Sequence, residues 1–198
     1  MIRHVYRVTL VAGLVCTAAP LSAQRTQPTS SNGFWFGATL GPGWVRVGCD
    51  ICDADRGWGP TGALRLGGRV SRKVLIGAEA TGWLGGEGSG AQEVNERLWG
   101  VSAAAYWYPN PRRPLYWKGG IGLLSYRNED DANTFTSSAV GVQLGAGWDL
   151  RVGRNWFLTP SLNLFIASLA SELKVNGAEI QDSANLSLVQ VALAVTRY

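Results

Sequence analysis

Few residues of this chain could carry catalytic chemistry. The one histidine is His4, and it lies in an N-terminal segment that we expect to be removed. Ser-His-Asp triads and histidine-based zinc sites need an imidazole, so the sequence argues against both chemistries. Glu79 and Asp149 are the only acidic residues within the predicted strands described below, and a carboxylate pair could act as general acid and base. Their positions favour buried ion-pair partners instead, so we expect no catalytic residue and no enzymatic activity.

Two cysteines, Cys49 and Cys52, could form a disulfide, a redox pair or part of a metal site. In an exported protein such close spacing is typical of a disulfide-closed loop, and we predict a loop disulfide here. No βαβ pattern surrounds the pair, which disfavours a redox role. Zinc would need two further ligands, and Asp50, Asp53 and Asp55 lack the spacing of an EF-hand calcium loop. We therefore predict no bound metal and no cofactor.

The N-terminus has the order of a secretory signal. A basic start at Arg3 precedes an apolar stretch over Val8–Ala19, and small residues ending at Ala23 offer a cleavage site. A membrane-anchoring helix would need about 20 apolar residues, and this stretch is shorter. We therefore predict a cleaved signal peptide over residues 1–23 and a short linker over residues 24–32.

The net charge gives no reason to expect a nucleic-acid partner. The chain has 18 Lys and Arg against 14 Asp and Glu. Arg3 and Arg7 fall in the predicted signal peptide, which leaves 16 basic residues (18 minus 2) against the 14 acidic ones. A nearly balanced chain lacks the strong positive field that attracts nucleic acid.

Residues 33–198 alternate between apolar residues and small or polar ones, and we predict one domain there. In Ser138–Arg151, for example, Val140, Val142 and Leu144 share one face, while Gln143 lies on the other. Period-two alternation is typical of β-strands whose two faces meet different surroundings. Eight segments show it: Phe34–Val45, Thr61–Ser71, Val74–Leu84, Arg97–Tyr108, Leu115–Tyr126, Ser138–Arg151, Trp156–Ile166 and Leu186–Tyr198. A single-chain bacterial barrel has an even number of strands.

The connections between these segments alternate in length and charge. The three short ones are basic and lie at residues 71–73, 109–114 and 153–155. The four long ones contain or adjoin most acidic residues and lie at residues 46–60, 85–96, 127–135 and 168–185. Short periplasmic turns and longer extracellular loops follow one another in this way in outer-membrane barrels.

The charged residues within the segments occupy the polar faces. A lipid-facing Arg or Lys at mid-membrane costs about 2–4 kcal/mol, whereas an interior charge can be paired. An eight-stranded barrel has room inside only for its side chains. We therefore predict an interior ion-pair core formed by Arg65, Arg69, Glu79, Lys118, Asp149 and Arg151.

Aromatic residues lie mostly near the segment ends, where they would meet lipid head groups. The sequence thus predicts an aromatic girdle formed by Trp35, Trp83, Trp99, Tyr106, Trp107, Tyr108, Tyr116, Trp117, Tyr126, Trp148 and Trp156.

With these features the chain resembles the small eight-stranded outer-membrane barrels, the transmembrane domain of outer-membrane protein A and its relatives, over about residues 33–198. The resemblance rests on strand number, connection rhythm and the terminal aromatic Tyr198. It implies an all-β, eight-stranded antiparallel up-and-down transmembrane β-barrel in the cell outer membrane. It also implies that Tyr198 is a C-terminal signal for the barrel-assembly machinery. The apolar face of Val189–Val195 is out of phase with Tyr198, which either a bulge or an interior-facing tyrosine would reconcile.

Three functions are compatible with such a chain. The first is a structural or surface-interaction protein, a monomer closed by interior charges that contacts outer-membrane lipid and lipopolysaccharide. The second is a narrow pore or conduit for small molecules, including hydrophobic ones. The third is a soluble lipocalin-like barrel, which would place Arg65, Glu79 and Lys118 in water. Interior charges favour the first.

Overall fold

The computed structural model describes residues 33–49, 52–87, 94–129, 134–170, 173–175, 178–180 and 183–198. This part of the chain consists of strands and turns, and it contains no helix that could span a membrane. The strands are β1 (Phe34–Cys49), β2 (Cys52–Arg69), β3 (Val74–Glu87), β4 (Val94–Trp107), β5 (Leu115–Glu129), β6 (Thr134–Trp148), β7 (Leu150–Arg151), β8 (Trp156–Ala170), β9 (Leu173–Val175), β10 (Ala178–Ile180) and β11 (Ser183–Arg197). The predicted signal peptide and linker lie outside the described residues.

The eight long strands close into a barrel. Each pairs antiparallel with its neighbours in the ring β1-β2-β3-β4-β5-β6-β8-β11. The ring is closed by β1 and β11, where Phe36 stands opposite Arg197 and Cys49 opposite Ala184. The short β7 pairs with β8, and β9 and β10 pair with each other beside β6. The predicted all-β, eight-stranded antiparallel barrel is confirmed.

The two faces of each strand separate as the alternation predicts. On β4, Leu98 is 1% exposed and points inside, whereas the next residue, Trp99, is 59% exposed and points outward. Consecutive side chains of a strand point to opposite faces, so apolar residues cover the outside and most polar ones line the inside. We call the end of the barrel with the short turns and Tyr198 the lower end, and the opposite end the upper end.

The strands are longer at the upper end than the sequence predicts. Residues 46–60 were expected to form a loop, yet Arg46 pairs with Arg56 and Cys49 with Cys52, so the β1–β2 ladder continues nearly to the tip. That prediction is wrong because Gly, Asp and Pro residues obscure the alternation there, while the backbone of a hairpin still needs its hydrogen bonds satisfied.

The predicted aromatic girdle is correct for only part of its members. Trp99, Trp107, Trp117, Trp148 and Trp156 are exposed on the outer face. The remaining members are buried inside the barrel and were wrongly assigned: Trp35, Trp83, Tyr106, Tyr108, Tyr116 and Tyr126. Each of these residues alternates in step with the inward-facing residues of its strand. This alternation predicts burial better than a position near the end of the strand does.

A candidate functional site in the barrel interior

The centre of the interior is an ion pair between β3 and β5. Lys118 Nζ lies 3.2 Å from Glu79 Oε1 and 3.1 Å from Glu79 Oε2. The two residues are 5% and 4% exposed. The strand between them, β4, places Ser102 opposite both Glu79 and Gly122. These small residues leave room for the long lysine side chain to reach the carboxylate across β4.

Neutral donors complete the surroundings of the Glu79 carboxylate. Gln143 Nε2 donates to Oε1 at 3.1 Å, and the Tyr106 hydroxyl donates to Oε2 at 3.0 Å. Ser102 Oγ in turn donates to Gln143 Oε1 at 3.0 Å. A buried charge is tolerated when it is both paired and hydrogen-bonded, and Glu79 meets both conditions.

Arg65 is directly opposite Glu79 in the β2–β3 register, but its guanidinium contacts hydroxyl groups. Nη1 donates to the Tyr116 hydroxyl at 3.3 Å, and Nη2 donates to Thr196 Oγ1. Its Cζ atom also lies 5.9 Å from the centre of the Tyr106 ring, within the range of a cation–π interaction. Among the described residues, Lys118 rather than Arg65 therefore forms the ion pair with Glu79.

Asp149 lies inside the barrel, just after β6, and also contacts hydroxyls. It accepts hydrogen bonds from Tyr108 at 2.7 Å, Tyr198 at 3.0 Å and Thr159 Oγ1 at 2.6 Å. The expectation that Asp149 belongs to an ion pair is not met by its contacts in the described residues.

Arg151 was predicted to belong to the interior ion-pair core, but it lies outside the barrel interior. Its side chain is exposed, with Nε donating to Gly153 O at 3.1 Å and Nη2 to Arg154 O at 2.9 Å. Arg151 is two residues after the buried Asp149 and so has the parity of an inward-facing residue. At this point, however, the chain has already passed the lower end of the barrel. Arg69, at the lower end of β2, is half-buried.

Two apolar layers enclose the polar centre, and neither was predicted from the sequence. The upper cluster contains Val45, Trp83, Leu98, Leu124, Tyr126, Ala139, Phe165, Ala167, Leu186 and Leu188. The lower cluster contains Trp35, Leu75, Ala104, Tyr106, Tyr108 and Tyr116, with Tyr198 packed against it. Trp83 Nε1 donates to Gly43 O at 3.2 Å, which satisfies its polar atom inside the upper cluster. The signal that could have revealed both layers was the inward parity of these residues.

Glycines provide the space that the interior needs, and two neighbours on β5 allow a direct comparison. A Cβ atom at Gly120 would lie 2.4 Å from Ala103 O, whereas a Cβ atom at Gly119 would have nothing within 4 Å. Gly120 faces inward with Lys118, and Gly119 faces outward with Trp117.

We predict that Gly120→Ala lowers the free energy of unfolding by about 1–3 kcal/mol, because the added methyl group overpacks a filled interior. Gly119→Ala is the matched control and should change it by less than about 0.5 kcal/mol. Urea unfolding in detergent micelles, followed by tryptophan fluorescence, measures both. Equal losses from the two variants would contradict the packing described for Gly120.

The sequence matches the family profile described as outer membrane protein beta-barrel domain over residues 9–188. The chain belongs to this family. No curated protein sequence matches it. As a member of an outer-membrane barrel family, it is an outer-membrane protein.

Solved structures of outer-membrane barrels are similar to this family member in fold. Neisserial surface protein A is 16% identical, with 83% of this chain and 96% of that chain covered and a TM-score of 0.53. The attachment invasion locus protein Ail of Yersinia pestis is 12% identical, with 82% and 98% covered and a TM-score of 0.48. OprG of Pseudomonas aeruginosa is 11% identical, with 84% and 97% covered and a TM-score of 0.47.

The last residue of this outer-membrane barrel, Tyr198, faces the interior. Its hydroxyl bonds to Asp149 and lies 2.9 Å from the Tyr108 hydroxyl, and its ring is 5.1 Å from that of Phe157. The alternation of β11 continues into Tyr198, with Val195 exposed and Thr196 buried. Tyr198 is therefore out of phase with the apolar face of β11 because its side chain points into the barrel. Its role in assembly stays a prediction.

The cysteine pair of this outer-membrane barrel lies at the tip of the β1–β2 hairpin. The backbone register places Cys49 opposite Cys52. The side chains of both cysteines lie outside the described part of the structure, so their disulfide stays a prediction.

Proposed function

We propose that this chain is a sealed barrel with a structural or surface-interaction role, which holds its long hairpins at the cell surface. One observation carries the proposal: the Glu79–Lys118 pair spans the interior between two apolar clusters. Both residues are almost fully buried. A permanent aqueous path would have to hydrate this pair, and its burial argues against such a path.

We also propose that the barrel has no enzymatic activity. Glu79 is held by Lys118, Gln143 and Tyr106, and Asp149 is held by three hydroxyl groups. A general acid or base must be within hydrogen-bonding reach of a substrate proton. Neither buried carboxylate offers such access, which supports a structural role for both.

The proposal includes partners and a route to the membrane. The outer face would contact outer-membrane lipid and lipopolysaccharide, and the barrel-assembly machinery would insert the chain through a signal that ends at Tyr198. A cleaved signal peptide over residues 1–23 would direct export. We propose a monomer, because each of the eight long strands in the described part of the chain has a neighbour on both sides, with β1 paired to β11. We propose no nucleic-acid partner, because the charge of the chain without residues 1–23 is nearly balanced.

Conductance in planar lipid bilayers tests the sealed barrel. We expect no steady open state, because the interior side chains fill the space between the strands. An open porin recorded in the same bilayers is the positive control for insertion and detection. A steady open state would overturn the sealed barrel and support the alternative, a narrow conduit for small molecules.

A further inference from the structure

Arginine and tryptophan recur two residues apart on the outward face of the upper barrel. Trp44, Trp58 and Trp99 are all exposed large apolar residues, and Arg46 and Arg97 are exposed as well. In both cases the arginine is the residue nearer the hairpin tip: Trp44 and Arg46 on β1, and Arg97 and Trp99 on β4.

The register of the strands brings these arginines together in pairs. Arg97 on β4 stands directly opposite Arg127 on β5, which is also exposed. The backbone of Arg46 stands opposite that of Arg56 in the β1–β2 register. Like charges directly opposite each other destabilise a sheet. An anion held by both guanidinium groups would turn this repulsion into attraction.

The position of the pair along the barrel indicates where such an anion would come from. The outward apolar part of β4 extends from Trp107 at the lower end to Trp99 at the upper end. At a rise of about 3.3 Å per residue they are about 26 Å apart along the strand, or about 20 Å in height at a tilt of about 40°. Arg97 lies two residues beyond Trp99, which places it at the level of the upper lipid head groups.

We propose that Arg97 and Arg127 form a binding site for a phosphate group of an outer-leaflet glycolipid. Arginine suits this task because its planar guanidinium donates two parallel hydrogen bonds to phosphate oxygens. Arg127 also has a contact within the chain, but a guanidinium carries five donors, so a lipid phosphate can be bound in addition. The inference rests on the proposed contact with lipopolysaccharide and gives that contact a location.

Binding of purified lipid A tests the site. The folded protein in maltoside micelles is titrated with phosphorylated lipid A and, separately, with enzymatically dephosphorylated lipid A, and bound lipid is counted by native mass spectrometry. Arg97→Gln/Arg127→Gln should weaken binding of the phosphorylated form about tenfold, as loss of charge-assisted hydrogen bonds implies. Binding of the dephosphorylated form should be weak and unchanged by the substitutions.

The β4–β5 turn at the lower end supplies a matched control. Arg112 and Arg113 are exposed there, and Arg112→Gln/Arg113→Gln removes the same charge from the same strand pair. This control should bind lipid A as the parent does. Arg97→Lys/Arg127→Lys, which keeps the charge and loses the paired geometry, should give an intermediate affinity.

Three results would overturn the proposed site. They are an equal loss of binding in the Arg112/Arg113 control, an equal loss of binding to dephosphorylated lipid A, and unchanged binding by a correctly folded Arg97/Arg127 variant. Folding is checked by the mobility of boiled against unboiled samples. The conductance test is independent, since an open pore would overturn the sealed barrel and leave this site in place.

Discussion

Glu79→Leu is expected to lower the free energy of unfolding by about 3–5 kcal/mol, because it leaves the buried Lys118 charge without its partner. Lys118 lies within 3.2 Å of both Glu79 carboxylate oxygens, and at 5% exposure it cannot turn to water without moving its neighbours. Urea unfolding in lipid vesicles, followed by tryptophan fluorescence, gives the free energy. A heat-induced shift in gel mobility reports whether the variant folds at all.

Two controls separate charge from packing at this position. Glu79→Leu/Lys118→Met removes both charges, so it should recover most of the stability that Glu79→Leu loses. Gln143→Leu removes a neutral donor and should cost only about 1–2 kcal/mol. A single Glu79→Leu variant as resistant to urea as the parent would show that the pair does not stabilise the interior.

Ile121→Arg is expected to lower the free energy of unfolding in lipid by about 2–4 kcal/mol, the cost of a cation facing the middle of the membrane. Ile121 is 66% exposed and points outward from β5 between Trp117 and Arg127. Val152→Arg is the matched control, because Val152 is 63% exposed but lies in the lower turn. It should cost only about 0–1 kcal/mol.

The same unfolding measurement in vesicles provides the comparison between the two arginine variants. Equal, small effects of Ile121→Arg and Val152→Arg would show that Ile121 faces water. That result would favour the soluble lipocalin-like alternative over a lipid-facing outer surface.

The assignment of faces could be predicted because it depends only on parity. Leu64 and Leu66 flank Arg65 on β2, so once the apolar face is assigned to lipid, Arg65 must point inside. The burial of Arg65 and Glu79 follows from the same rule. Trp35 and Trp83 could have been placed inside by this rule too, but they were assigned by residue type and by their position near strand ends.

The partners of the interior charges could not be predicted in the same way. Arg65 faces Glu79 in the register, yet Glu79 pairs with Lys118, which lies two strands away on β5. This choice depends on side-chain reach and on the small residue Ser102 between the strands. Arg151 shows a second limit, because parity continues along the chain after the strand has passed the lower mouth of the barrel.

Closure of the ring by β1 and β11 has a consequence for biogenesis. The pairs Phe36–Arg197 and Cys49–Ala184 join the first and last strands of the domain, so this ladder cannot form until the final strand has reached the sheet. Until then the growing sheet has two open edges, each a template for pairing with another chain. Contacts between such distant residues also form slowly. A truncation that removes β11 would therefore leave a sheet prone to aggregate rather than a smaller barrel.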